Sequence, residues 1–268
     1  QEISTGAEKR IESEEIFVAA GLKSNADILK VQNTGVKTDS AGWIITNEYL
    51  ETSAPDIWAL GDINGRFQFR HKANYEAEIC VHNLFGSEHG HGHKYAVSYR
   101  AVPWAIYTHP QIAHLGLTER EVKQHGIPYL VGRNRYSSVA AGFSMGYSNG
   151  DDDDGFVKLI TDGEWKILGV HIIGPQAAVL LQPFVYLMNA GLSCKPQTLQ
   201  AKMHDHSRTV GAGGEEAHNH SGSDVHIHEA VVKCRGGGSI IPLFQSMVIH
   251  PSLSEVAAWV TGRMEWGE

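Results

Sequence analysis

His250-Pro251-Ser252-Leu253-Ser254-Glu255 is the stretch around which the rest of the chain is read. Pro251 disfavours helical backbone at His250, so the imidazole stands just outside the helix that follows. Ser252 and Glu255 have the S-x-x-E spacing of a capping box, with Ser252 as N-cap and Glu255 three residues on. Taken alone, that spacing marks a helix entrance. It also permits chemistry, because helical side chains lean toward the N-terminus and Glu255 points back to the region of His250. A carboxylate bonded to one ring nitrogen fixes the tautomer and leaves the other nitrogen as an acid/base group near neutral pH. A last helix fits residues 253–264, and residues 240–249 ahead of the histidine read as buried.

A second stretch lies far upstream: Thr52-Ser53-Ala54-Pro55-Asp56-Ile57-Trp58-Ala59-Leu60-Gly61-Asp62. Residues 57–60 read as a buried strand that delivers Gly61 and Asp62 at its carboxyl end, where ligands of open α/β sheets bind. Gly61 lets another group approach the backbone, and Asp62 can accept hydrogen bonds from ligand hydroxyls. A plain strand–turn suits the same dipeptide.

Between and around these stretches, residues 16–20 and 43–46 read as strands, and residues 72–85 as a helix with Ala73, Ala77, Ile79, Cys80 and Leu84 apolar. Residues 86–94 form a Gly/His/Ser linker and a candidate domain boundary, separating a first part (1–90) from a second (98–268). In the second part, residues 101–107, 156–161 and 165–173 read as strands. Residues 118–125 read as a helix capped by Thr118, and 177–190 as another ended by Gly191. The four aspartates at 151–154 read as a solvated hairpin tip. Residues 201–238 are polar, with few periodic apolar positions, and read as an insert.

The chain has 268 residues, 42% hydrophobic and 19% charged, with a formal net charge of −8. That balance argues against a nucleic-acid partner needing a basic field. No apolar run approaches the roughly 20 residues of a membrane span, so no membrane partner is expected. Cys80, Cys194 and Cys234 are far apart and odd in number, which favours a reducing, cytoplasmic setting. Gln1 at the first position, with strand-like residues close behind, implies a chain whose beginning lies elsewhere.

In order and spacing, these stretches resemble the pyridine nucleotide–disulfide oxidoreductases, the family of dihydrolipoamide dehydrogenase and glutathione reductase. Ala19-Ala20-Gly21-Leu22-Lys23-Ser24-Asn25 resembles the family's A-x-G-R-x-P-N junction, with Leu22 and Ser24 in place of the Arg and Pro. His71-Lys72-Ala73-Asn74-Tyr75-Glu76-Ala77 is similar to its flavin-facing helix start. Tyr107-Thr108-His109-Pro110-Gln111-Ile112-Ala113 resembles the opening of its dimerisation domain, which 155–159 and 167–175 continue. The final His-Pro-x-x-x-Glu is similar to its active-site pair.

The resemblance implies an α+β chain: the remainder of an FAD-binding α/β domain, then an α+β dimerisation domain with an antiparallel sheet. It further implies FAD and NAD(P)H as cofactors, with Gly61 and Asp62 at the ribityl chain and Ala73 near the flavin. His250, oriented by Glu255, would be the acid/base for a small thiol or disulfide, acting across the interface of a homodimer. The His-Pro dipeptide and a C-terminus without cysteines imply thiol substrates rather than mercuric ion, lipoamide-like before glutathione-like. No Gly-x-Gly-x-x-Gly and no Cys-x4-Cys occur in the chain, so the resemblance makes it a C-terminal half whose N-terminal half is a missing partner.

One feature falls outside the resemblance. His204 and His206, His218 and His220, and His226 and His228 are three His-x-His pairs in the insert, and His89, His91 and His93 repeat the spacing. In extended backbone, i and i+2 share a face, so each pair could chelate zinc or nickel, or simply be solvated. Two functions therefore stay open: a disulfide oxidoreductase, or a non-catalytic dimerisation and metal-binding protein on the same fold.

Overall fold

Two long strands form the centre of the fold: β4 (Phe156–Asp162) and β5 (Ile167–Ile173). Val157, Leu159, Val170 and Ile172 are fully or almost fully buried, and alternate with half-buried Lys158, His171 and Ile173. This is the period-two pattern of a sheet with one face on a core. The turn between them is tied by Asp162, whose carboxylate accepts from Glu164 N and Lys166 N, both at 2.9 Å. The computed structural model describes residues 5–8, 10, 12–85, 94–190, 238–240, 243 and 247–267.

Around that hairpin the sheet is, among the described residues, six-stranded and antiparallel, with β1 (Trp104–Ile106), β2 (Ile112–Gly116), β3 (Tyr129–Arg135) and β6 (Met264–Trp266). Its order is β1-β2-β5-β4-β3-β6. α1 (Arg70–Phe85) precedes the sheet. α2 (Glu119–Gln124) and α3 (Ala140–Ser144) follow β2 and β3. α4 (Ala177–Asn189) buries Leu180, Leu181, Phe184 and Met188 on one side and packs them on β5 and β2. α5 (Ser254–Ala258) and a 3-10 turn (Trp259–Arg263) bring Val256, Ala257 and Val260 into the same core. An antiparallel sheet with helices over it, preceded by a small α/β remnant, is the α+β class expected.

The first part is sparser. Ala26, Val36, Ile44, Ala54 and Ala59 form a separate small core. Among the described residues its β structure is two isolated bridges, Thr38 with Ile44 and Glu51 with Trp58. Residues 16–20, expected as a strand, carry none, and Ile16, Phe17 and Val18 are 82%, 92% and 77% exposed. β-propensity marks a segment fit for a ladder, but a ladder needs a partner, and none is present among the described residues.

Three other expectations change. The last helix ends at Ala258, a 3-10 turn carries residues 259–263, and residues 264–266 pair with β3. Asp154 is buried rather than solvated: Ser137 N and Oγ donate to its carboxylate at 3.0 and 2.7 Å, with Arg135 3.5 Å away. Met247 and Ile249 are exposed, not buried. The insert, most of the linker and Gly191 lie outside the described residues.

Candidate active site

α5 opens with Ser254, and its first turn is reached through His250-Pro251-Ser252-Leu253. Only half of the expected capping box forms. Ser252 N donates to Glu255 Oε2 at 3.1 Å, whereas the Ser252 hydroxyl turns back to the Ile249 carbonyl at 2.7 Å. The other carboxylate oxygen, Glu255 Oε1, lies 2.7 Å from His250 Nδ1. Glu255 is fully buried, while the His250 side chain is 64% exposed. Burial opposes ionisation of Glu255, but the bonds from His250 and Ser252 outweigh it and hold the carboxyl below its usual range. An ionised carboxylate only accepts, so Nδ1 carries the hydrogen and neutral His250 keeps its Nε2 lone pair. The result is an open imidazole backed by a buried anion, a group able to take a proton from a ligand and return it.

Gly61, Asp62 and Ala73 come together at a different place. Gly61 begins a 3-10 turn (Gly61–Asn64) with φ 77°. A Cβ added at Gly61 would sit 3.5 Å from the Ala73 methyl, so the turn lies close on α1. Asp62, the next residue of the turn, is exposed. No hydrogen bond or ion pair among the described residues joins this turn to His250 or Glu255.

Sequence reasoning missed what holds the turn. On α1 the buried residues are Lys72, Glu76 and Cys80, at i, i+4 and i+8. Glu76 Oε2 accepts from Gly61 N at 2.6 Å and pairs with Lys72 Nζ at 3.0 Å. Glu76 Oε1 accepts from Asn64 Nδ2 at 2.9 Å and from the Tyr99 hydroxyl. Lys72 Nζ donates to Gly61 O at 2.9 Å and to Asn64 Oδ1 at 2.6 Å. Burial lowers the pKa of Lys72, against the opposing pull of Glu76. Burial and the Glu76 carboxylate both raise that of Tyr99. The available signal was the i, i+4 Lys–Glu spacing, which ordinarily marks a solvated helix face.

A second polar pair lies on the sheet. His114 of β2 and His171 of β5 are cross-strand partners with their Nδ1 atoms 3.0 Å apart, and Trp104 of β1 stacks on His114. His171 Nε2 lies 3.1 Å from the Leu117 carbonyl. Burial, then the neighbouring His114, pushes His171 down to about 4. Burial also lowers His114.

Among the described residues no group of three or more His, Cys, Asp or Glu could hold a metal ion. His204, His206, His218, His220, His226 and His228 lie outside the described residues, as do His89, His91 and His93. No helix among the described residues is long and apolar enough to cross a membrane.

Comparison with known proteins gives matching results by sequence and by shape. The chain is 39% identical over 184 residues to "Mycothione reductase" of Mycobacterium tuberculosis, covering 68% of this chain and 39% of that protein. It is 34% identical over 185 residues to "Dihydrolipoyl dehydrogenase 1, mitochondrial" of Arabidopsis thaliana, covering 69% and 34%. The chain thus matches well under half the length of these curated relatives. Among solved structures, the flavoprotein disulfide reductase RclA from Escherichia coli superposes with a TM-score of 0.64 at 19% identity, covering 91% of this chain and 44% of that one. LpdA from Mycobacterium tuberculosis gives 0.61 at 15% identity, covering 90% and 40%. At those identities the likeness is one of fold. The model of the family's dimerisation domain matches residues 102–212, and the pyridine nucleotide-disulphide oxidoreductase model matches residues 1–77. Strands β1 to β5 and the turn at Gly61 thus fall in two successive parts of one architecture, and the chain belongs to the pyridine nucleotide-disulphide oxidoreductases.

Proposed function

We propose that the chain is the C-terminal part of an FAD-dependent NAD(P)H:disulfide oxidoreductase of the dihydrolipoamide dehydrogenase type, in which His250 and Glu255 are the acid/base pair. Residues 1–90 supply the end of the nucleotide-binding region, and residues 98–268 the dimerisation domain with its insert. The observation that carries this assignment is the 2.7 Å contact between a buried Glu255 and an exposed His250. Only a thiolate attacks a disulfide, so a site for that exchange needs a base able to take a thiol proton and return it to the leaving sulfur. His250 Nε2 is built for that duty, and Glu255 stabilises the imidazolium that forms. The redox cysteines are not in this chain, so His250 would serve a sulfur pair held elsewhere, across the two-fold axis of a homodimer.

The family's members use FAD and NAD(P)H, and the residues at Gly61 fit the flavin cofactor. Asp62 is exposed and brings a carboxylate suited to polyol hydroxyls, on a turn that Lys72 and Glu76 hold rigid beside Ala73. When bound, FAD supplies the electron pair's route between nicotinamide and sulfur. The widely spaced cysteines suit a reducing compartment such as the cytoplasm.

Replacing His250 by Ala in the native enzyme should slow NAD(P)H-driven disulfide reduction by about 100-fold or more, the usual scale of general acid–base catalysis. Undiminished turnover would remove the role assigned to His250.

A further inference from the structure

Resting on His250 and Glu255 as the working pair, we propose that Asn134 is the positioning residue that sets where Glu255, and through it His250, stands. Asn134 lies on β3 opposite Val157 of β4 and is 1% exposed. Its Nδ2 donates to the Val256 carbonyl at 3.0 Å. Val256 follows Glu255 directly in α5. A bond this deeply buried has no water to replace it, so it fixes the height and rotation of α5 against the sheet. Rotation matters here, because a slip of one residue turns a helix by about 100° and would swing Glu255 off the imidazole.

The same strand grips the far end of the segment. A Cβ at Gly132, two residues before Asn134 and on the same face of β3, would come within 2.8 Å of the Val260 carbonyl oxygen and 3.1 Å of that of Arg263. β6 then pairs back on β3, with Gly132 opposite Met264. Residues 256–264 are therefore held at their start by Asn134 and at their finish by the clearance at Gly132 and the β6 ladder. Among the described residues the side-chain hydrogen bond of His250 goes to Glu255. The ring's orientation is thus inherited from the carboxylate, and the carboxylate's from β3. Among the described residues the side-chain hydrogen bond of Asn134 goes to Val256, so it acts through that residue.

The test reads the ring nitrogens of His250 in the native protein by long-range proton–nitrogen NMR at alkaline pH. The unaltered chain should show Nδ1 protonated and Nε2 bare, and Glu255→Ala should show the mixed tautomers of an unheld imidazole. Asn134→Leu, which keeps the bulk and loses the donor, should lose most of the Nδ1–H tautomer and approach the Glu255→Ala spectrum. Ile172→Val, a core change in β5, should leave the tautomer as it was, because general loosening of the sheet is not the cause. Asn134→Ser, too short to reach Val256, gives the same reading should the leucine variant not fold. If the unaltered chain already resembles Glu255→Ala, the His250–Glu255 pairing itself fails. If the pairing is present but persists in folded Asn134→Leu or Asn134→Ser, Asn134 does not position it. Unfolding of both Asn134 variants while Ile172→Val stays folded would make Asn134 a folding residue and overturn the assignment.

Discussion

Glu76 accepts from Gly61 N, Asn64, Tyr99 and Lys72 in a place without solvent. Such an arrangement is unforgiving of partial removal. Glu76→Leu would strand the Lys72 ammonium inside the protein, and breaking a buried pair from one side costs about 3–5 kcal/mol. The double change Lys72→Met with Glu76→Leu should cost less than that single change, since no unpaired charge remains. Urea unfolding of the two variants checks the order, and a double variant no more stable than Glu76→Leu would show that the ion pair is not what makes the site costly to disturb. At this scale the sequence was legible where a motif fixes which two side chains meet. The pairing of His250 with Glu255 follows from a proline, a spacing and the lean of helical side chains. The Lys72–Glu76 pair was not legible, because the same two letters at the same spacing usually face water. The apolar residues of α1 suggested an inward stripe that the ion pair in fact occupies.

Among elements, α2 behaved as its sequence promised. Thr118 Oγ1 accepts from Glu121 N at 3.3 Å and Glu121 Oε2 accepts from Thr118 N at 2.6 Å, a complete reciprocal cap. Thr118→Ala should lower stability by about 1 kcal/mol, the usual worth of an N-cap, as read from the urea midpoint. No change there would mean that the packing of Val122, fully buried below, holds the helix unaided. The contrast with α5 is instructive. Ser252 and Glu255 have the same spacing, yet the serine hydroxyl goes to Ile249 O and one glutamate oxygen to His250. Local spacing finds a helix entrance, but it does not say which partner a side chain will choose. Strands were legible where apolar residues alternate over a long run, as in β4 and β5. They were misread at residues 16–20, where composition fits a strand and no pairing partner is present among the described residues, and at Met264, the expected end of the last helix, where β3 recruits residues 264–266 instead.

For the molecule as a whole, acid is the informative variable. His171 has an ordinary pKa of 6.5 and is pushed to about 4 in the fold, first by burial and then by His114. Lys158 on β4 adds to that push, while Glu121 on α2 and the Leu117 carbonyl oppose it. The folded chain thus refuses a proton that the unfolded chain accepts. Its contribution is complete above pH 6.5, declines as pH falls, and is spent near pH 4. The ceiling is about 3 kcal/mol by the linkage between a pKa shift and stability. His114, lowered in the same direction by burial, carries the same sign. Glu119 works in a lower window: Lys158 holds it down to about 2, against an ordinary value of 4.5, so its share is lost as pH falls from 4.5 toward 2. Melting temperatures measured from pH 7 to pH 4 should fall for the unaltered chain and fall less for His171→Gln. Parallel slopes would mean that the histidine pair does not govern acid sensitivity.

Among the described residues β6 stands at the rim of the sheet, three residues long, with β3 on one side only. For anyone fusing a reporter or affinity tag to this protein, that rim is the wrong place to attach it. Cargo spliced directly after Trp266 would pull on a short zipper whose other end steadies the helix of Glu255, so a fusion could express well and still report on a disturbed imidazole.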